Sequence, residues 1–112
     1  MSIEFNGNTI ETDKNGFLVN AEDWSKELGE HIAQSEGVVL TQKHWDILDY
    51  LRDEYLNNNQ TQPNTRTIVK AMADKWGVDV AQKDVYDLFP KDPSKQGGRI
   101  AGLPESRRKG GY

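Results

Sequence analysis

The chain has 112 residues, of which 35% are hydrophobic and 29% charged, and its formal net charge is -4. This length supports one modest core, and no apolar run approaches the roughly 20 residues that a membrane-spanning helix needs, so we expect one domain and no membrane contact. Because the sequence contains no cysteine and only two histidines, it excludes disulfides, thiolate metal sites and a cysteine nucleophile, and it predicts no metal and no cofactor.

The first predicted element is a β-hairpin. Residues 3–10, Ile-Glu-Phe-Asn-Gly-Asn-Thr-Ile, alternate apolar and polar side chains on both sides of Asn6-Gly7. Asn-Gly is a preferred dipeptide of type I′ hairpin turns because both residues tolerate positive φ angles. The opening residues 1–5 are acidic and lack the basic and apolar regions of a secretory signal, which favours a cytoplasmic location.

Four amphipathic helices are predicted next, because apolar side chains recur at helical spacing. They span about residues 22–37, 42–56, 64–77 and 81–88. Thr41 is a suitable N-cap for the second helix, and Asn64 or Thr65 for the third. After the fourth helix, Pro90 and Pro93 are expected to stop regular structure.

The end of the chain is basic and rich in glycine. Residues 1–90 hold eight basic and sixteen acidic residues, whereas residues 91–112 hold six basic and two acidic ones. The apolar cluster in residues 99–104 predicts that this segment docks as a helical turn or a packed loop. We therefore expect a domain over residues 1–104 and a flexible tail over residues 105–112. An acidic body with a basic arm indicates either an arm that folds back on its own body or one that reaches an acidic partner.

The run from Leu88 to Pro104, Leu-Phe-Pro-Lys-Asp-Pro-Ser-Lys-Gln-Gly-Gly-Arg-Ile-Ala-Gly-Leu-Pro, resembles the tail signature of the DsrC/TusE family of small sulfur-carrier proteins. His44-Trp-Asp, Leu51-Arg-Asp and the stretch 66–73 are similar to family segments in the same order. The likeness covers almost the whole chain. The predicted elements and the resemblance together give an α+β fold, with a small N-terminal β-hairpin packed on a bundle of four to five helices and a flexible C-terminal arm.

In the family that this chain resembles, a penultimate cysteine carries persulfide sulfur, and many dissimilatory members have a second cysteine upstream in the arm. The upstream position falls at Gly98, and the final one at Gly111, Gly110 or Lys109, depending on the register. Because the nucleophile in sulfur exchange is a thiolate, neither position supplies the chemistry. The resemblance thus implies a cysteine-less member, with no catalytic residue and no expected enzyme activity of its own.

The resemblance also implies partner-binding residues, which match the tail motif. They are Lys95, Gln96, Arg99, Ile100 and Leu103. The preferred interpretation is a non-catalytic binding or regulatory paralogue that docks on a protein of the sulfur-relay or dissimilatory sulfite reductase system. The alternative is a sulfur-relay protein, a persulfide carrier in sulfite reduction or tRNA 2-thiolation, whose cysteines have been replaced in this chain.

Two features leave nucleic-acid binding open. The basic cluster Arg107, Arg108 and Lys109 could contact tRNA phosphates, although three charges beside glycines are more typical of a solvated end. Residues 70–89 could form a helix-turn-helix that brings Lys83 and its neighbours near DNA, and this is the second alternative function. Because the second helix of that unit is not basic, simple helix packing is the favoured interpretation.

Overall fold

Two antiparallel strands begin the chain in the computed structural model, which describes residues 1–105. Strand β1 (Ser2–Phe5) pairs with β2 (Asn8–Glu11), and Ile3 lies opposite Ile10. Asn6 and Gly7 have φ angles of 51° and 79°, as the I′ turn requires. Ile10 joins the buried core, so the predicted hairpin is confirmed and packs its apolar face against the helices.

Five α-helices follow within residues 1–105. They are α1 (Lys26–Ser35), α2 (Gln42–Asn57), α3 (Thr65–Trp76), α4 (Gln82–Leu88) and α5 (Pro93–Ile100). Helix α5 packs against each of the other four, so it forms the centre of the bundle. The predicted α+β class is confirmed. None of the helices in the described part of the chain has the length and apolar character to cross a lipid bilayer.

The first helix begins later than its apolar spacing predicted. Residues Ala21–Asp23 form a short 3-10 turn, and α1 starts after Ser25, whose Oγ accepts a hydrogen bond from the Leu28 N–H at 3.2 Å. A serine N-cap satisfies a backbone donor that the start of a helix leaves unpaired, so it sets the boundary. Trp24 therefore precedes α1 and its indole is directed toward the end of α5 instead of along a helix face.

The prediction that Pro93 stops regular structure is wrong, because Pro93 is the first residue of α5. A first helical position needs no backbone N–H, and the fixed φ of proline suits it. The Asp92 carboxylate caps the helix by accepting from the N–H groups of Ser94 (3.0 Å) and Lys95 (3.2 Å). Asp92 has a φ of 131°, a region that favours glycine, so this cap offsets a strained backbone.

His44 connects the start of α2 to the end of α4 through two hydrogen bonds. Its Nδ1 accepts from the backbone N–H of Thr41 at 3.0 Å. Because Nδ1 is the acceptor, Nε2 carries the proton and donates to the carbonyl oxygen of Leu88 at 2.9 Å. His44 is only 6% exposed and its ring packs edge-on against Phe89, so it acts as a structural cap in its neutral form.

Acidification is expected to destabilise the fold through His44. Burial lowers the pKa of His44 below its ordinary value of 6.5, and the hydrogen bond to Leu88 offsets this only in part. The unfolded chain then binds the proton more readily than the folded chain. The contribution of His44 is thus complete above pH 6.5 and is lost as the pH falls below that value.

Urea denaturation should give a lower free energy of unfolding at about pH 5.5 than at about pH 7.5. The difference should shrink in His44→Gln and persist in His31→Gln, which leaves His44 in place. An undiminished pH dependence in His44→Gln would contradict the assignment.

Candidate docking site at the base of the C-terminal arm

The chain leaves α5 through residues 100–105, here called the arm base. Side chains from separate parts of the fold hold the arm base in place. The Trp24 indole Nε1 donates to the Ile100 carbonyl oxygen at 2.8 Å. Arg52 Nη1 donates to the Ala101 carbonyl oxygen at 2.8 Å, and Gln62 Nε2 to that of Pro104 at 3.0 Å. Because these bonds go to backbone oxygens, they fix the path of the main chain itself.

Close packing against Trp24 adds to these hydrogen bonds. The Arg52 guanidinium lies 4.3 Å from the centre of the Trp24 ring, a cation–π distance. Gly102, on the arm base, has a φ of +74°, and a Cβ there would overlap the Cδ1, Cγ and Cβ atoms of Trp24. Gly102 is therefore required both for its backbone angle and for the approach of the chain to the indole.

The other side of α5 is anchored by an ion pair with Glu36, the residue that follows α1. Arg99 Nε and Nη2 donate to the two Glu36 carboxylate oxygens at 2.6 and 2.9 Å, a bidentate arrangement. Gln96 Nε2 donates to the same carboxylate at 3.0 Å. Only 20% of the Arg99 side chain and 13% of the Glu36 side chain are exposed, so the pair is shielded from water.

The two partners shift each other's pKa in the directions expected for a shielded pair. Burial is the largest influence on Glu36 and would raise its pKa, but the hydrogen bonds from Arg99 and Gln96, with the charges of Arg99 and Lys91, lower it below its ordinary value. The hydrogen bond to Glu36 raises the pKa of Arg99. Both groups are therefore charged at neutral pH, and each compensates the other.

The predicted partner-binding residues fall into two groups. Gln96, Ile100 and Leu103 are at most 1% exposed. The core covers them and Gln96 bonds to Glu36, so their contact with a partner stays a prediction that would need a more open conformation. Lys95 and Arg99 are half-buried. Glu36 neutralises Arg99, whereas Lys95 forms no salt bridge within residues 1–105, and its contact with a partner stays a prediction.

The positions that the resemblance assigns to cysteines carry no thiol. Gly98 is buried in α5, and a Cβ there would meet no atom within 4 Å outside the adjacent helix backbone. The positions 109–111, and the predicted nucleic-acid contacts Arg107, Arg108 and Lys109, lie outside the described residues. Within residues 1–105, no group of three or more His, Asp or Glu side chains is placed to hold a metal ion.

The α3–α4 pair presents a mixed surface to solvent. Lys83, on the helix that would approach DNA, is paired with Asp87 at 3.3 Å. Asp84 accepts from the Ala81 N–H at 3.0 Å, and so caps the same helix. The exposed face of α4 therefore carries carboxylates beside its one lysine, which disfavours contact with phosphates.

Sequence comparison identifies relatives along nearly the whole chain. The family model described as DsrC like protein matches residues 4–108. Sulfurtransferase TusE of Yersinia pestis is 44% identical over 104 residues, which cover 92% of this chain and 94% of that protein. Sulfurtransferase TusE of Escherichia coli strain K12 is 45% identical over 102 residues, which cover 90% and 93% of the two chains. The family match therefore includes α5 and the arm base.

Solved structures give the same result. The NMR structure of Allochromatium vinosum DsrC has a TM-score of 0.85 and 36% identity, and the match covers 96% of both chains. The oxidised gamma-subunit of the dissimilatory sulfite reductase (DsrC) from Archaeoglobus fulgidus has a TM-score of 0.87 and 33% identity, with 96% and 98% coverage. At this identity and coverage the similarity extends from the fold to the family.

The contact between Gly102 and Trp24 predicts a strong effect of a single methyl group. Gly102→Ala should cost on the order of 1–2 kcal/mol for the left-handed backbone, and a further 1–3 kcal/mol for the overlap with the indole. Gly77 is a matched control, because its φ is +69° and a Cβ there meets nothing within 4 Å. Urea denaturation should thus show a clearly larger loss for Gly102→Ala than for Gly77→Ala, and equal losses would contradict the close approach.

The Glu36–Arg99 pair predicts non-additive mutations. Arg99→Met leaves a shielded carboxylate without its main partner and should lower the free energy of unfolding by about 2–3 kcal/mol. The double variant Glu36→Met/Arg99→Met should lose less than the two single variants together, because it leaves no unpaired charge. Additive losses in this double-mutant cycle would show that the pair is not coupled.

Proposed function

The chain belongs to the DsrC-like family, and from this premise we propose that it serves a cytoplasmic sulfur-relay pathway by docking on a relay protein through its C-terminal arm. The observation that carries the proposal is the arm base. Trp24, Arg52 and Gly102 hold residues 100–105 in a defined path, although the sequence has no cysteine to deliver. Relatives that match nine tenths or more of the chain are named sulfurtransferase TusE, which supports the pathway.

Sulfur relay places a strict chemical requirement on its carrier. A carrier thiolate attacks the terminal sulfur of a donor persulfide, takes that sulfur to form its own persulfide, and releases the donor as a thiolate. Serine, threonine and tyrosine hydroxyls do not substitute for the thiolate. With no cysteine among the 112 residues, the function proposed for this chain is docking, and the carrying step is absent from it.

Two versions of this function differ in whether the natural protein has a cysteine in its tail. In the first, the protein is a relay carrier whose cysteine has been replaced in this chain, and the match to carriers along almost the entire sequence supports that version. In the second, it is a non-catalytic binding partner that occupies or regulates the docking site of a carrier, which the thiol-free tail favours. The encoding gene separates them, since only the first version has a cysteine codon near the end.

The TusE branch is favoured over the sulfite reductase branch. Identity to the two TusE proteins is 44% and 45%, against 36% and 33% to the two DsrC structures. The resemblance links that branch to thiolation of a tRNA wobble uridine. A relay protein that feeds tRNA 2-thiolation is therefore the proposed partner.

Restoring the thiol tests the proposal directly. Gly111→Cys should accept sulfur from a persulfide-loaded relay protein of a TusE-containing cell, and intact-protein mass spectrometry should show the addition of one sulfur atom. The unaltered chain should bind the same donor and gain no sulfur.

The matched control is Val78→Cys, which places a thiol on a surface residue that is 57% exposed. Selective loading of Gly111→Cys supports arm docking, because only a docked thiol benefits from proximity to the donor. Equal loading of both variants, or no binding of the unaltered chain to the donor, would overturn it.

A further inference from the structure

A second surface feature lies between α2 and α3, on residues that the arm base does not use. It is a groove of about 580 Å³, here called the α2–α3 groove. Its lining comprises Asp46, Asp49, Tyr50 and Asp53 from α2, and Ala71, Met72, Asp74 and Lys75 from α3.

The floor of the α2–α3 groove is apolar. Met72 is 1% exposed and belongs to the core, while Tyr50 and Ala71 are partly buried and pack against that core. Burial, with a smaller contribution from the charge of Glu54, raises the pKa of Tyr50, so its hydroxyl is neutral at physiological pH. An apolar side chain placed on this floor would gain the burial of hydrophobic surface.

The rim of the groove is acidic. Asp46, Asp49 and Asp53 lie three and four residues apart, so they occupy successive turns on one face of α2. Like charges at this spacing oppose helix formation, and no Lys or Arg forms a salt bridge with them in the described part of the chain. Asp74 faces them from α3. Lys75 and Arg52 act on Asp46 and Asp49 through charge without a salt bridge, so this carboxylate row lacks the close ion pairs that would make it stabilising within the fold.

Two carboxylates of the rim are held in position, and one of them, Asp53, accepts from Asn57 Nδ2 at 2.8 Å. Asp46 accepts from the Trp76 indole Nε1 at 2.8 Å and from Gln42 Nε2 at 3.0 Å. Burial is the largest single influence on the pKa of Asp46 and would raise it. The two hydrogen bonds and the charge of Lys75 together outweigh burial and lower this pKa below its ordinary value. The negative charge at this end of the groove is thus fixed in place as well as in ionisation state.

We propose that the α2–α3 groove binds a basic amphipathic segment of a partner protein. An apolar side chain of that segment packs on Tyr50, Ala71 and Met72, while its Lys or Arg side chains meet the carboxylates of the rim. Charge complementarity selects this occupant, because a neutral or acidic segment would cover these carboxylates without compensating them. A hydrophobic groove is also a common binding site for an amphipathic helix.

The binding chemistry of the groove stands on its own geometry and does not rest on the proposed function. The thiol-restoration assay measures sulfur transfer at the tail, whereas the groove is measured by peptide binding. A failure of one proposal is therefore distinguishable from a failure of the other.

The test is a titration of the full ¹⁵N-labelled chain with a helical peptide of lysine and leucine, and with a matched peptide of glutamate and leucine. We expect the lysine peptide to shift the amide signals of Tyr50, Asp53, Ala71 and Asp74, and the glutamate peptide to leave them unchanged. The double variant Asp49→Lys/Asp53→Lys should bind the lysine peptide at least about tenfold more weakly. Asp49→Asn/Asp53→Asn should weaken it less and supplies a second variant with little change in size.

The control variant is Glu11→Lys/Asp79→Lys, which changes two exposed acids outside the groove and has the same net charge as the first double variant. It should bind the lysine peptide within about twofold of the unaltered chain. Dissolved salt screens charges that lie more than about 10 Å from the bound peptide, so substitutions outside the groove have little effect. Equal weakening in both lysine variants, shifts that map to other residues, or equal binding of both peptides would overturn the proposal. Concentration-dependent shifts of the same amides without peptide would assign the groove to a second copy of this chain, and would also overturn it.

Discussion

The structure depends on the contact between Trp24 and the backbone at the end of α5. The indole donates to the Ile100 carbonyl oxygen at 2.8 Å, and Gly102 lies against its ring. Arg52 covers the same ring and bonds to the next carbonyl oxygen, that of Ala101. Because α5 packs against all the other helices, fixing its end also fixes the centre of the bundle and the point from which the arm continues.

Local signals were sufficient for the elements whose causes are local. Asn6-Gly7 predicted the hairpin, and apolar spacing with a polar cap predicted α2 and α3 near their observed bounds. Helix α5 was not predicted, because proline and glycine usually interrupt helices. Here the Asp92 cap starts α5, and Gly97 lets it approach α2, since a Cβ there would lie 3.0 Å from the Leu51 side chain. Tertiary packing overrides composition in this segment.

The candidate site shows the same division. The tail motif identified the segment that forms the arm base, but not the residues that hold it. Glu36 is 63 residues from Arg99, and Trp24 is 76 residues from Ile100, so no local pattern connects them. Burial also changes the interpretation of the tail motif, because motif residues expected at a partner surface lie in the core. Ile100 and Leu103 are core residues, and within the described chain the Arg99 charge is neutralised by Glu36, so the structure shows this run packed on the core.

The central claim is that α5 and the arm base are part of the core, so that the arm starts from a fixed point. Amide hydrogen exchange tests it most directly, because the N–H groups of Ala101, Gly102 and Leu103 donate to carbonyl oxygens of α5. These amides should exchange only through global unfolding, with the same protection as the core of α2. Exchange as fast as that of exposed loop amides would contradict the claim, since the arm would then have no fixed base.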